Sequence, residues 1–363
     1  MRTGDEPRHE SRPHRGRAHT AAQGARGPER SPRSHVRVTA NLFGIPLGLA
    51  GLAQCWTVAH AAGVVPGWTV DVAWVVTAAT WAVLLASYLT STVIHHRLRE
   101  EPSDPTYGPF TSAALLVPTM LSVPLTAHSP TAGRALFAAS LLLGVGYGGW
   151  LTGQWITAGL RLDQLHPAYL LPTVATGLVS AAASADMGHD GLARLLFGYG
   201  ALSWIALGPV LWARPFVAPP LPSGLVPTLA IHLAPPVVAG NAWFAINHHR
   251  ADAVSVGLAG YAVLMALVQV RLIPVYARLR FGPSWWAFTF PCAAATAVAM
   301  RWVVAAHVSH GSVWLTFLLV PITCGVTALA VASSVAVAGG TFLPRDTASR
   351  SVSVSPPQHQ AVE

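Results

Sequence analysis

Apolar runs of about twenty residues alternate with short polar breaks from residue 38 to residue 340. A run of that length crosses the hydrocarbon core of a bilayer as an α-helix. The pattern predicts ten spans, at 39–60, 70–94, 110–127, 132–158, 168–185, 192–213, 225–246, 254–276, 284–306 and 313–338. Every odd-numbered span carries a proline well inside it: Pro46, Pro118, Pro172, Pro235 and Pro291. Even-numbered spans are mostly intact at their centres; Pro209 and Pro274 fall near ends, and Pro321 is the main exception. A proline inside a helix removes one hydrogen bond and crowds the preceding turn. Its return every 55–70 residues or so predicts an all-α polytopic membrane protein, with five hairpins placing their bent members around one passage. The plainer alternative is that proline and glycine are simply commoner in membrane helices than in soluble ones.

Composition supports the membrane assignment. Of 363 residues, 52% are hydrophobic and 10% are charged, whereas a soluble domain has nearer ~25% charged. A formal charge of +8 and a pI near 10.1 invite a nucleic-acid reading. All 22 basic residues are arginine, however, and nine of them precede residue 38. The basicity is mainly that of a tail, which meets anionic lipid head groups at least as readily, and no nucleic-acid partner is predicted. This tail, residues 1–37, lacks the apolar core of a signal peptide and is expected to be disordered. Residues 341–363 are expected to form a second flexible tail, leaving 38–340 as the membrane domain. With the N-terminus inside, the inner loops hold Arg97, Arg99, Arg161, Arg214, Arg278 and Arg280. The outer loops hold Arg134, Arg194, Arg250 and Arg301. Together with the tails, that bias predicts a multi-pass protein of the plasma (inner) membrane with both termini cytoplasmic.

Side-chain chemistry narrows the function. All 14 acidic residues lie in tails, loops or span ends, so neither a carboxylate proton relay nor an acidic ring for cations is expected. What remains is a passage walled by small and aliphatic residues, tolerant of anions, with Gly44, Leu47, Val117, Leu171 and Val238 as candidates for its lining. Phe290, directly before Pro291, has the bulk to close such a passage; on spacing alone, ordinary helix packing of Phe288 or Phe290 is the commoner fate. His232 fits either a pH-sensitive pore charge or packing near its helix's inner end, and packing is favoured. The pairs His95-His96 and His248-His249 fall on opposite membrane faces. No metal site, cofactor or catalytic group is expected, and there is no GxSxG, HExxH or P-loop. Cys55, Cys292 and Cys324 sit in apolar spans without a CxxC spacing and are expected to be buried, unpaired thiols.

Several short stretches follow one another in a specific order. They are Phe43-Gly44-Ile45-Pro46-Leu47-Gly48-Leu49, His166-Pro167 through Leu171-Pro172, Phe197-Gly198, Pro209-Val210-Leu211, Leu233-Ala234-Pro235 and Trp286-Ala287-Phe288-Thr289-Phe290. Over about residues 38–340 the chain thereby resembles the tellurite-resistance/dicarboxylate transporter family, which includes bacterial tellurite-resistance proteins, fungal malate permeases and sulfite exporters, and plant slow-type anion channels. The resemblance implies a homotrimer, each subunit holding a pore of five inner helices ringed by five outer ones in quasi-five-fold order. It also implies that Phe290, the second phenylalanine of a WAF-x-F motif, is the occluding gate. The implied function is a channel or facilitator for small inorganic or organic anions. The alternative is a secondary carrier or exporter of C4-dicarboxylates such as malate, or of sulfite or tellurite-type oxyanions. Two positions depart from the bacterial pattern. Pro291 replaces a glycine after the gate and is expected to stiffen or redirect the break. Gly208 replaces an acid before the proline of the sixth span, which puts any coupling through that acid in doubt.

Overall fold

The computed structural model describes residues 38–94, 101–157 and 159–342, all within one compact unit. Among these residues the regular structure is helical, and ten stretches are long and apolar enough to cross a membrane. They contain α1 (Gly44–Ala61), α2 (Gly67–Ile94), α3 (Gly108–His128), α4 (Pro130–Thr157), α5 (Thr176–Asp186), α6 (Asp190–Val217), α7 (Ala234–Ile246), α8 (Ala253–Tyr276), α9 (Thr289–Ala305) and α10 (Gly311–Ala338). Each span lies within a few residues of its expected position, and α6 continues through Pro209 and Pro215 to Val217. His95-His96, residues 1–37 and residues 343–363 lie outside the described residues.

The odd-numbered spans are interrupted in a different way from the one expected. Only α3 carries its proline, Pro118, within a continuous α-helix. The other four open as tighter or wider turns and then settle into α-helix. A 3-10 segment at Ala40–Phe43 precedes α1, one at Val226–Leu233 precedes α7, and one at Pro283–Phe288 precedes α9. Before α5, a 3-10 segment at Pro167–Leu170 is followed by a π turn at Leu171–Ala175. Pro46, Pro235 and Pro291 fall in the first turn of their α-helices, and Pro172 falls in the π turn. A first-turn residue needs no intrahelical donor, and proline's fixed φ already suits the helix. These prolines therefore start α-helices partway along a span rather than bend finished ones.

Burial separates the two sets of helices. In the odd-numbered spans 39–89% of the central window is buried, against 11–28% in the even-numbered ones. The prolines follow the same division: Pro46, Pro118, Pro172, Pro235 and Pro291 are buried, while Pro209, Pro274 and Pro321 are exposed. In contacts, α1 meets α3, α3 meets α5, α5 meets α7, α7 meets α9, and α9 returns to α1. Each even-numbered helix packs on the odd-numbered one before it and turns side chains such as Val263, Leu267, Leu202 and Val335 outward. Such a surface suits lipid. Two thiols share it, because Cys292 and Cys324 are exposed and only Cys55 is buried, correcting the expectation for all three. α9 and α10 each have an outward face at these positions.

Lipid tails are as apolar as leucine, so helices in a bilayer associate through close packing of small residues. α5 and α6 touch at Gly177 and Gly200, where a Cβ on Gly177 would stand 2.6 Å from the Gly200 backbone. A Cβ on Gly198, one turn-face away, would meet nothing within 4 Å. Gly177→Ala should therefore destabilise the folded protein by about 1–3 kcal/mol. Gly198→Ala should be neutral or stabilising by up to about 1 kcal/mol. Thermal unfolding in detergent compares the two, and equal effects would contradict the packing described here.

Candidate functional site

Two cavities lie end to end within the ring of odd-numbered helices. The larger, about 590 Å³, opens on the side where the described chain begins and ends, with Thr39 and Phe342 in its wall. Its deeper wall is built from helix beginnings: Gly44 and Leu47 of α1, Ala234 and Pro235 of α7, Phe290 and Pro291 of α9, and Ala175, the residue before α5. Each helix start carries roughly half a positive charge from its aligned peptide dipoles. Among the described residues no charged side chain lines this cavity; its polar lining is hydroxyls and amides such as Thr39, Asn41, Thr228 and Ser284. The tighter turns ahead of the helices thus set several dipoles toward one uncharged chamber.

The smaller cavity, about 60 Å³, lies farther from the chain ends. Its polar residues come from four helices: Gln54 of α1, Asp186 of α5, Asn241 of α7 and Arg301 of α9. Asn241 ties α7 to α9, its Nδ2 donating to the carbonyls of Val237 (2.8 Å) and Ala294 (2.9 Å). Arg301 Nε donates to Asn241 Oδ1 at 3.1 Å, and Nη1 donates to His249 Nδ1 at 3.2 Å. Burial, and then the neighbouring Arg301 charge, hold the His249 imidazole below its ordinary pKa range, leaving Nδ1 free to accept.

Val238 and Phe290 are the two residues that line both cavities. Phe290 is 6% exposed, and its ring stands between the chambers. The rest of its motif turns elsewhere. Trp286 is buried and donates from Nε1 to Ser333 Oγ of α10 at 3.0 Å, while Thr289 Oγ1 donates to the Trp286 carbonyl at 2.7 Å. Phe288 packs edge-on against Tyr276 of α8, ring centroids 4.7 Å apart. Of the two phenylalanines that the sequence leaves open, Phe288 faces the neighbouring helix and Phe290 faces the cavities.

The other expected residues divide. Gly44, Leu47, Leu171 and Val238 line the large cavity; Val117 is fully buried between helices and lines neither chamber. Pro235 and Pro291 reach the large cavity, whereas Pro46, Pro118 and Pro172 are buried and line neither chamber. His232 stacks on Trp212 of α6 at 4.9 Å, in agreement with packing. Gly208 lines neither chamber. Arg134, Arg194 and Arg301, expected in outer loops, lie inside α4, α6 and α9, and Arg214, expected in an inner loop, also lies inside α6; of these, Arg301 lines a cavity. Asn241 and His249 were not expected at the site either. The available signal was a lone arginine ending the apolar run Ala293–Met300, since an ionisable residue within a span marks a functional position by default.

The mouth of the large cavity is braced by buried polar groups. Glu101, 4% exposed, accepts the Ala40 N–H at Oε1 (2.8 Å) and ties the start of the first span to the α2–α3 connection. Pro105 in the same connection accepts from His166 Nε2 at 3.2 Å and from the Tyr169 hydroxyl at 3.0 Å. His166 also stacks on Phe110, which lines the cavity. Among the described residues no group of three or more His, Cys, Asp or Glu is arranged to hold a metal ion.

Comparison with known proteins gives a consistent result. The family model described as voltage-dependent anion channel, SLAC1, matches residues 37–341. The tellurite resistance protein TehA homolog of Haemophilus influenzae is 29% identical over 262 residues, covering 68% of this chain and 76% of that protein. The guard cell S-type anion channel SLAC1 of Arabidopsis thaliana is 26% identical over 155 residues, 42% of this chain and only 28% of that longer protein. The S-type anion channel SLAH4 of the same plant is 25% identical over 263 residues, 69% of this chain and 71% of that one.

The brace at the mouth is sensitive to acid. Burial pushes the His166 imidazole down from its ordinary 6.5 to about 4. Above about pH 6.5 the ring is neutral whether the chain is folded or not; between about 6.5 and 4 only the unfolded chain takes up the proton. Stability should therefore fall, on the order of 2–3 kcal/mol, as pH drops through that window. His166→Gln should lose this part of the pH dependence in thermal melts run from pH 7 to pH 4. Parallel profiles for the two proteins would show that His166 titrates freely.

Proposed function

Because the chain belongs to the voltage-dependent anion channel family, we propose that it is a plasma-membrane anion channel or facilitator in which Phe290 gates the passage. The observation that carries this reading is the position of Phe290 and Val238, shared by two otherwise separate cavities. Small anions enter the large chamber, where converging helix starts favour negative charge, and cross to the small chamber when the Phe290 ring moves aside. Hydrophobic constrictions of this kind hold a pore closed by excluding water. The cyclic contacts among α1, α3, α5, α7 and α9 support a quasi-five-fold arrangement of the hairpins. Three subunits, each with its own pore, and both termini in the cytoplasm complete the proposal, the latter supported by the arginine-rich inner loops.

A carrier of C4-dicarboxylates or tellurite-type oxyanions is the second reading. Two observations favour it: Asp186 and His249, both titratable, stand at or beside the small chamber, and the relative from Haemophilus influenzae is named for tellurite resistance.

Planar-bilayer recording separates the two. Phe290→Ala should raise anion conductance by about tenfold or more over the unsubstituted protein, with ohmic currents. Reversal potentials should then follow chloride or nitrate gradients and ignore a proton gradient. An unchanged conductance in Phe290→Ala would remove the gate, and transport that saturates and tracks the proton gradient would favour the carrier.

A further inference from the structure

Resting on the passage just described, we propose that Arg301, positioned by Asn241 and His249, is a binding and selectivity site for a small monovalent anion in the chamber beyond Phe290. Arg301 lies on the same helix as Phe290, about 16 Å farther along at 1.5 Å per residue. Among the described residues it is the cationic side chain that lines the two cavities, and none lines the large chamber. Both of its protein partners are neutral acceptors: the Asn241 amide oxygen and the His249 ring nitrogen. A guanidinium carries five N–H donors, and Nη2 has no protein partner among the described residues.

Among the described residues no carboxylate lies within ion-pair distance of it, and Asp186 acts on it only at longer range. Asp186 lines the same chamber, yet the ion pair found among the described residues is that of Arg161 with Asp163, far from this site. A cation held within a membrane span with a carboxylate only at longer range is still costly, and such residues face a water-filled cavity or acquire a closer partner. Here a mobile anion takes the partner's place. The chamber, about 60 Å³, is several times the 10–15 Å³ needed for one water, enough for a small ion with part of its hydration shell. The guanidinium edge presents parallel donors that suit a planar oxyanion, which favours nitrate over a spherical halide.

Asp186 gives the site its weakness. A conducting site must bind well enough to admit an ion and loosely enough to release it. The Asp186 carboxylate shares the chamber with Arg301 without a direct ion pair, and its charge repels the anion that Arg301 attracts. Neutralising it should tighten binding; neutralising Arg301 should abolish it.

Thermal melting of the purified protein in detergent tests this without any ion flow. Sodium nitrate is titrated against sodium gluconate at constant ionic strength. The Tm of the unsubstituted protein and of Phe290→Ala should rise with nitrate, whereas Arg301→Gln should show no rise. Asp186→Asn should lower the half-saturating nitrate concentration about tenfold. A nitrate shift that survives in Arg301→Gln, or that is absent from the unsubstituted protein, overturns the proposal. Should Arg301→Gln fail to fold, Asp186→Asn decides, since an unchanged half-saturation point also overturns it. Because the readout is binding, a gate at Phe290 that fails in bilayers leaves this result standing, and the reverse also holds.

Discussion

A proline has no backbone N–H to give, and hydrocarbon offers no water to replace the lost bond. That constraint governs the interior of this protein. Pro46, Pro235 and Pro291 occupy first-turn positions, where no donor is required, and so each α-helix begins partway along its span. The stretch ahead of each is carried by 3-10 turns, which need different bonds. These three helices, and α5 behind the π turn that holds Pro172, consequently start inside the protein rather than at its surface, and their first turns meet around one chamber. The prolines of the even-numbered helices have no such neighbours. They sit on the outer surface, where their effect stays local.

The two chambers use charge in opposite ways. Among the described residues no charged side chain lines the large one, and the field they give it comes from backbone dipoles spread over several helix starts. Such a field attracts anions without fixing any of them at one point. The small one concentrates its field in Arg301 and opposes it with Asp186. Between the two stands an aromatic ring with no charge at all. In the proposed passage an anion moves from a diffuse attraction, across an apolar barrier, to a discrete site. The difference follows from construction: backbone can line a wide chamber, while a narrow one is dominated by whichever side chain reaches it.

The positions of the ten spans were legible because twenty-residue apolar runs have few other readings, and the division into buried and exposed helices followed from where prolines recur. Phe290 was legible only through its motif, since spacing could not separate it from Phe288, and the separation depends on Tyr276 of a neighbouring helix receiving Phe288. Val117 illustrates a different difficulty. It lies one residue from Pro118, yet a helix face turns through 100° per residue, and α3 directs that side chain into the helix interface. The nature of the breaks was hidden as well, because proline signals interruption in the same way whether it bends a helix or begins one. Arg301 was misplaced for a simpler reason. Assigning arginines to loops is sound for setting orientation, but several of them lie inside helices, and loop counting does not tell which one reaches a cavity.

Pro291 bears on how a gate at Phe290 can move. The residue before a proline is crowded in the α region, and the proline itself has a fixed φ. Buried among α1, α7 and the rest of α9, this part of the backbone has little freedom to hinge. The ring is less confined. Gly51 of α1 faces it, and a Cβ there would already stand 3.3 Å from Phe290 Cδ2. A side chain at residue 51 would press on the ring, and its absence leaves the rotamer room to change. The direction of that change is set by the space on either side. The small chamber holds little beyond a few waters, while the large one has about 590 Å³. In the gate proposed for Phe290, the side with room for the ring is therefore the large chamber, and the motion is a side-chain rotation with the helix held by the proline beside it.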